Sequence, residues 1–187
     1  MLIHLPPAYP PKSSIHPWNR SHKCNISAWW ETDENSCEKV AKWRTFTYRG
    51  KNTPLFFDIV DASVFDFLMD DGDRHNYEVI TINYTPRMIL LDNGRGMGNS
   101  YIDHIDILAP LFQCCFLRNS TWNTLLDLRG GNLSYWLRYL ITFNNSNPEI
   151  ILTEKHFKAF DRRLLIIFAV LEDCFLRKGK KNVILND

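Results

Sequence analysis

A strand-like segment followed by a glycine turn holds the residues best suited to bind a ligand. The segment RMILLDNGRGMGNS, residues 87–100, runs from an apolar stretch into Asp92 and then into the turn. A carboxylate at a strand end can accept a hydrogen bond from the exocyclic amine of a flat ligand such as adenine. Glycines let the backbone approach such a ligand without a Cβ clash. Asp92, Gly94, Gly96 and Met97 are therefore candidate nucleotide-binding residues.

A second glycine turn lies in the segment LRGGNLSYWL, residues 128–137. Arg129, Gly130 and Gly131 precede a stretch with helical spacing of apolar residues. The free N–H groups at the start of a helix can bind phosphates. We therefore add these three residues to the candidate nucleotide site.

Three segments occur in the order typical of a known family. FFDIVDASVFDFL (residues 56–68), DNGRGM (92–97) and LRGGNLSYWL (128–137) resemble the successive motifs of the GHKL ATPases, among them MutL, gyrase B and the topoisomerase VI B subunit. The resemblance covers residues 54–143. It implies a nucleotide pocket with ATP or ADP as its ligand, although no cofactor is fixed by the residues themselves.

Departures from the family motifs argue against catalysis. Asp58 stands where the family has a glutamate base, and its shorter side chain would misplace the carboxylate. Ala62 replaces the asparagine that holds Mg²⁺ and offers no ligand. The resemblance therefore implies a non-catalytic pseudo-ATPase, a scaffold subunit of a larger DNA-handling complex such as a topoisomerase VI B-like partner. A weak Mg-ATPase is the second alternative.

The first twenty residues are rich in proline and contain a possible recognition motif. Pro6, Pro7 and Tyr9 form a PPxY pattern, which a preformed polyproline II segment presents to WW domains. Because proline fixes φ and lacks a donor, residues 1–20 are expected to form an arm with neither helix nor central strand. The alternative function is thus a small viral or cellular adaptor that binds its partner through this arm.

The clearest helix is predicted over residues 153–179, with Thr153 as its cap and Gly179 at its end. Its apolar stripe is wide for a small domain and includes Phe160, Leu164 and Phe168. Such a stripe either packs into the core or binds a partner protein, and both interpretations stay open. Nucleic acid would be contacted only through the complex.

Acidic residues cluster at Asp70, Asp71 and Asp73. Their spacing does not match a calcium-binding loop. We interpret them as a helix end and the turn that follows it, and we predict no metal site.

The elements that must position these residues follow from hydrophobic spacing. A helix begins at Pro54, strands are predicted over residues 77–84 and 87–92, and further helices follow. The order predicts an α+β fold, a two-layer sandwich in which helices cover one face of a mixed β-sheet. The arm, residues 1–20, precedes a single domain, residues 21–187.

Composition favours an intracellular protein, nuclear or cytoplasmic. The formal net charge is +1, so no global field attracts nucleic acid or a membrane. No secretory signal or membrane-spanning run is apparent. The five cysteines lack CxxC spacing and are expected to be buried free thiols. Without a secretory route, the Asn-x-Ser/Thr sequons at Asn25, Asn83, Asn119 and Asn132 are expected to arise by chance.

Overall fold

The computed structural model describes residues 11–19, 27–48, 51–82, 85–144 and 152–186. It shows an α+β fold, as predicted. The chain divides into two compact units, Met1–Ile59 with Asp73–Asn93, and Val60–Gly72 with Gly94–Asp187. No described helix has the length and apolar character needed to cross a membrane.

Strands and helices are interspersed along the described part of the chain. The strands are β1 (Lys12–Ile15), β2 (Thr47–Tyr48), β3 (Lys51–Asn52), β4 (Asn76–Ile82), β5 (Thr85–Ile89), β6 (Leu117–Arg118) and β7 (Ile184–Leu185). The helices are α1 (Ser36–Ala41), α2 (Pro54–Met69), α3 (Ala109–Cys114), α4 (Asn119–Asp127), α5 (Asn132–Asn144), α6 (Glu154–Lys178) and α7 (Lys180–Val183). Short 3₁₀ helices span Trp29–Glu31 and Ile105–Leu108.

The first unit is built on a three-stranded antiparallel sheet in the order β1-β4-β5. β4 and β5 form a hairpin in which Val79 faces Met88 across the ladder. Phe46 is fully buried, and its ring lies 5.6 Å from that of Phe56 and 6.1 Å from that of Tyr77. These aromatic contacts pack the start of α2 and strand β4 into one core.

The predicted proline-rich arm is described only in part. Residues 1–10 lie outside the described residues, whereas Lys12–Ile15 form β1 at the edge of the sheet. The prediction excluded a helix and a central strand from this segment, and an edge strand is neither. An edge strand needs donors on only one side, so Pro11 just before it costs no ladder hydrogen bond.

The predicted mixed sheet covered by helices does not describe the rest of the fold. Outside the three-stranded sheet, the described strands form only two-stranded ladders, β2 with β3 and β6 with β7. The apolar run around Leu140–Phe143 belongs to helix α5. A short apolar run fits either structure when only its periodicity is known.

The second unit is organised around α6, which begins after Thr153 and ends before Gly179. The backbone N–H of Thr153 donates to Nδ1 of His156, 3.2 Å away. A disulfide joins Cys115 to Cys174 and ties the end of α3 to this helix. Cys37 and Cys114 are also disulfide-bonded. The predicted free thiols at these four positions are therefore wrong.

Arg163 of α6 is the buried charge that organises the second unit. Its side chain is 2% exposed. It donates to the carbonyl oxygens of Leu68, Asn99 and Ile102 at 3.2, 2.8 and 2.9 Å, and to Oδ1 of Asp103 at 2.9 Å. These bonds tie the end of α2 to residues 99–103.

Two carboxylates balance the charge of Arg163. Oδ2 of Asp70 lies 3.4 Å from its Nη2. Asp103 also accepts hydrogen bonds from the neighbouring Arg162, which lower the pKa of the Asp103 carboxyl, and the bonds from Arg163 lower it further. A buried ion that is paired and fully hydrogen-bonded can be held in a protein interior.

We expect Arg163→Met to lower the free energy of unfolding by about 3–5 kcal/mol, because it removes the buried cation paired with Asp70 and leaves three backbone carbonyls without their donor. Arg162→Met is the matched control, since this neighbour also binds Asp103 but is 41% exposed. Its cost should stay below about 1 kcal/mol. Urea unfolding followed by tryptophan fluorescence measures both. Equal losses in the two variants would contradict the assigned role of Arg163.

Candidate functional site

The open end of the β4–β5 hairpin brings two separate segments together. Glu78 faces Ile89 in the ladder, so the chain entering β4 and the chain leaving β5 emerge side by side. The entering segment is Asp73–His75, and the leaving segment is Leu90–Asn93. Two carboxylates, Asp73 and Asp92, therefore lie on the two segments at one end of the hairpin.

Arg74 holds these two segments together. Its Nη1 donates to the carbonyl oxygen of Leu91 at 3.1 Å, and its Nη2 donates to Oδ1 of Asn93 at 2.6 Å. The two acceptors flank Asp92. A guanidinium has a planar, rigid set of donors, so this pair of bonds fixes the Leu91 carbonyl and the Asn93 side chain, on the two residues that flank Asp92.

The two carboxylates differ in their local environment. Asp92 is exposed and has a φ of 56°. This left-handed conformation is uncommon for a residue with a Cβ and is often found at functional sites. Asp73 is half-buried, and its Oδ1 lies 3.4 Å from Nε2 of His75. The carbonyl oxygen of Asp73 also accepts from the N–H of His75 at 2.9 Å.

His16 supports this end of the sheet from the neighbouring strand. Its backbone N–H donates to the carbonyl oxygen of His75 at 2.8 Å, and its Nδ1 accepts from the N–H of Trp18 at 3.2 Å. Burial, together with the nearby charge of Arg74, lowers the pKa of His16 to about 3. The imidazole is therefore neutral, as its role as an acceptor requires.

The turn after Asp92 continues into the second unit. Gly94–Met97 form the turn itself. Met97 has a φ of 62°, and its N–H donates to the carbonyl oxygen of Met69 at 2.6 Å. This bond ties the turn to the end of α2. The predicted ligand residues Gly94, Gly96 and Met97 thus follow Asp92 directly along the chain.

The second predicted glycine turn connects α4 to α5. Gly130 and Gly131 have φ values of 67° and 87°, which glycine adopts without strain. Arg129 donates from Nε to the carbonyl oxygen of Leu126 at 3.1 Å, and its guanidinium lies 5.8 Å from the ring of Phe168. These contacts stabilise the connection between α4 and α5. The three residues belong to the second unit, whereas Asp92 belongs to the first.

Asp58 has a structural partner on the sheet. Its two carboxylate oxygens accept from Nε and Nη2 of Arg87 at 2.9 and 3.0 Å, and Oδ2 also accepts from the N–H of Met88 at 3.0 Å. The carboxylate therefore anchors α2 to strand β5 within the first unit.

The predicted partner-binding residues fall into two groups. Pro6, Pro7 and Tyr9 lie outside the described residues. Phe160 and Leu164 are buried, at 4% and 3% exposure. The ring of Phe168 packs at a right angle to that of Trp122, 5.7 Å away. The stripe on α6 therefore packs against its own unit, which is the core interpretation left open above.

Sequence reasoning missed Asp73 and Arg74, although a signal for them was present. Asp73 was interpreted as part of a turn, and Asp92 as the end of a separate strand. Both strands between them were predicted, with only two residues connecting them. Two adjacent strands with a short connection usually form an antiparallel hairpin, which brings the residues before the first and after the second strand together.

Comparison with known proteins identifies the relatives of the chain. The sequence profile described as "Fam20C: Golgi casein kinase, C-terminal, Fam20" matches residues 1–183. The chain is 39% identical over 188 residues to a glycosaminoglycan xylosylkinase of Danio rerio, covering all of this chain and 44% of that protein. The chain thus spans less than half the length of this curated relative.

Two solved structures are similar throughout the chain. One is the structure of hydra Fam20 with sugar, which is 39% identical with a TM-score of 0.87, covering 98% of this chain and 51% of that one. The other is the Golgi casein kinase with Mn/ADP bound, 32% identical with a TM-score of 0.83, covering 95% of this chain and 42% of that one.

These findings correct three predictions made from the sequence. The resemblance to the GHKL ATPases is wrong, because the family match covers almost the whole chain and belongs to the Fam20 kinases. The pseudo-ATPase scaffold of a DNA-handling complex is wrong for the same reason. The nuclear or cytoplasmic location is also wrong, since the family is a Golgi one and the Cys115–Cys174 bridge is typical of oxidising compartments.

We expect protonation of His16 to destabilise the fold as the pH falls. Its pKa is about 3 in the folded chain against an ordinary 6.5, so the unfolded chain binds the proton first. The stabilising contribution is complete above pH 6.5 and is lost as the pH falls towards 3. At pH 5 the loss is about 2 kcal/mol. Urea unfolding at pH 7.5 and pH 5 measures it.

His16→Gln is the matched control, because the glutamine oxygen can accept the Trp18 N–H but does not titrate in this range. Other groups contribute equally to both proteins. The wild-type free energy of unfolding should therefore fall by about 2 kcal/mol more than that of the variant between the two pH values. Parallel decreases would show that His16 is not the group responsible.

Proposed function

Because the chain belongs to the Fam20 family, we propose that it forms the part of a metal-dependent kinase that carries the carboxylates for phosphoryl transfer, with a xylose of a glycosaminoglycan as acceptor. The observation that carries this proposal is the placement of Asp73 and Asp92 at one end of the β4–β5 hairpin. Arg74 links the two segments that bear them.

Asp92 is suited to hold a divalent cation on the nucleotide phosphates. Mg²⁺ and similar ions are bound in kinases through one or two carboxylates together with phosphate oxygens, and a large cage of protein ligands is not needed. No cluster of three or more His, Cys, Asp and Glu ligands occurs in the described ranges, which is compatible with such a site. When bound, the cation would neutralise charge that develops on the transferred phosphoryl group.

The geometry around Asp92 in this chain suits a residue that binds a divalent cation. Its carboxylate is exposed, and Arg74 holds the Leu91 carbonyl on one side of it and the Asn93 side chain on the other. The positive φ turns the chain sharply after β5 and directs it into the glycine turn. The prediction that this residue contacts a nucleotide is thereby kept, with the cation and phosphates as its ligand in place of adenine. A solved relative with Mn/ADP bound supports this assignment.

Asp73 is suited to act as the base that accepts the proton of the acceptor hydroxyl. In protein kinases the catalytic-loop aspartate precedes the metal-binding aspartate along the chain, and it takes the proton of the attacking hydroxyl. The order here is the same: Asp73, the β4–β5 hairpin, then Asp92. This parallel is an analogy of order and chemistry. His75 lies beside the Asp73 carboxylate and can orient it through their 3.4 Å contact.

Arg74 acts as a positioning residue in this scheme. It neighbours Asp73 in the sequence and binds the Leu91 carbonyl and the Asn93 side chain beside Asp92, so the separation of the two carboxylates depends on its two hydrogen bonds. Phosphoryl transfer requires little covalent participation by the protein, and positioning supplies much of the rate. The neutral His16 behind it adds no second positive charge at this buried position.

The acceptor is proposed from the relatives. The chain aligns over its full length with a glycosaminoglycan xylosylkinase, and a similar solved structure holds a sugar. A sugar hydroxyl is a weak nucleophile at neutral pH. It therefore needs a base within hydrogen-bond reach and an in-line phosphoryl group, which are the two tasks given to Asp73 and to Asp92 with its cation.

We expect Asp73→Asn to lower kcat for phosphoryl transfer by about 10²–10⁴-fold with nucleotide binding retained, because only the proton acceptor is lost. Asp92→Asn should instead abolish manganese-dependent binding of ADP. Calorimetry with ADP, with and without Mn²⁺, measures binding. Transfer of labelled phosphate from ATP to a xylose-containing glycosaminoglycan acceptor measures turnover.

Asp127→Asn is the matched control, since its carboxylate is exposed on α4 in the second unit. It should leave both readouts unchanged. Retained manganese-dependent binding in Asp92→Asn would overturn the cation assignment. Transfer to casein but not to the sugar acceptor would overturn the acceptor class and leave the kinase chemistry in place.

A further inference from the structure

The chain contains several sequons for N-linked glycosylation. They matter because the nuclear or cytoplasmic location predicted from the sequence is wrong. They begin at Asn19, Asn25, Asn83, Asn119, Asn132 and Asn144. All three residues of the sequon are described only for Asn119 and Asn132. The structure can therefore be used to compare these two.

The disulfides place the chain where such a modification takes place. The Cys115–Cys174 bridge requires an oxidising compartment, and sequons are modified in proteins of the secretory route. Asn119 lies only four residues after Cys115. This segment therefore enters the compartment that holds the glycosylation machinery. The argument depends on the compartment and is independent of the proposed kinase chemistry.

We propose that Asn119 carries an N-linked glycan. Asn119 is the first residue of α4 and, like Ser120, is exposed. Its side-chain amide makes no hydrogen bond within the described part of the chain. The preceding residue, Arg118, has an extended backbone. A bulky glycan on this amide therefore displaces no side-chain contact of the folded unit.

Asn132 provides the contrast within the same unit. Its Nδ2 donates to the carbonyl oxygen of Asp127 at 2.9 Å. The hydroxyl of Ser134, the third residue of its sequon, lies 2.6 Å from Oδ2 of Asp161 and 3.1 Å from the carbonyl oxygen of Gly131. Modification at Asn132 would disturb the connection between α4 and α5, whereas modification at Asn119 would not.

The chemistry needs a lipid-linked oligosaccharide diphosphate as donor. The amide nitrogen Nδ2 of Asn119 attacks the anomeric carbon of the donor sugar. The bond from that carbon to the diphosphate oxygen breaks, and the lipid diphosphate leaves with the electron pair. Nδ2 loses one proton in exchange for the new N–C bond, so charge and atoms balance. Thr121 supplies the hydroxyl that the sequon requires.

The test is to express the whole chain behind a secretion signal in animal cells and to analyse both secreted and retained protein. Enzymatic release of glycans in ¹⁸O-labelled water converts each modified asparagine into a labelled aspartate, which peptide mass spectrometry locates. We expect label at Asn119 in most molecules. Asn119→Gln and Thr121→Ala should abolish the label in this peptide and lower the apparent mass on gels by one glycan.

Ser120→Ala and Thr121→Ser are the matched controls, because both keep a valid sequon while changing neighbouring side chains. Both should keep the label at Asn119. An unlabelled Asn119 in the wild-type chain overturns the proposal, whether or not the other sequons are modified. Loss of the label in Ser120→Ala would also overturn it, since the modification would then not follow the sequon.

Discussion

The antiparallel register of β4 with β5 is the constraint on which the candidate site depends. Val79 faces Met88, and this alignment fixes the other residue pairs along the two strands. A shift of one residue would turn every side chain of a strand to the opposite face. It would also move the carbonyl oxygen of Leu91 away from Arg74. The two carboxylates of the site, separated by the length of the hairpin in sequence, are brought together by backbone pairing and by the two hydrogen bonds of Arg74.

A second constraint acts within the other unit. Arg163 binds the carbonyl oxygen of Leu68 at the end of α2 and the carbonyl oxygens of Asn99 and Ile102. A single buried guanidinium thus joins the end of α2 to residues 99–103 within this unit, at the cost of desolvating a charge.

The misleading feature of the sequence was the Asp-Asn-Gly-Arg-Gly turn. Many unrelated nucleotide and metal sites need a carboxylate at the end of a strand and a glycine turn directly after it. Such a motif indicates ligand chemistry well and family poorly. The cysteines misled in a different way. Cys114 and Cys115 are adjacent, so they cannot readily bond to each other, but each can pair with a distant residue, as Cys115 does with Cys174.

Local patterns in the sequence were sufficient for the main helices, for the two strands of the hairpin and for Asp92 as a residue of interest. Capping by Thr153, the first-turn Pro54 and β-branched runs act over a few residues, so spacing alone reveals them. Only the tertiary structure decided which strands pair, that Lys12–Ile15 join them, that Phe160 and Leu164 face the core, and that Asp73 belongs with Asp92. Those outcomes depend on contacts between residues far apart in the chain. Such contacts produce no periodic pattern in the sequence.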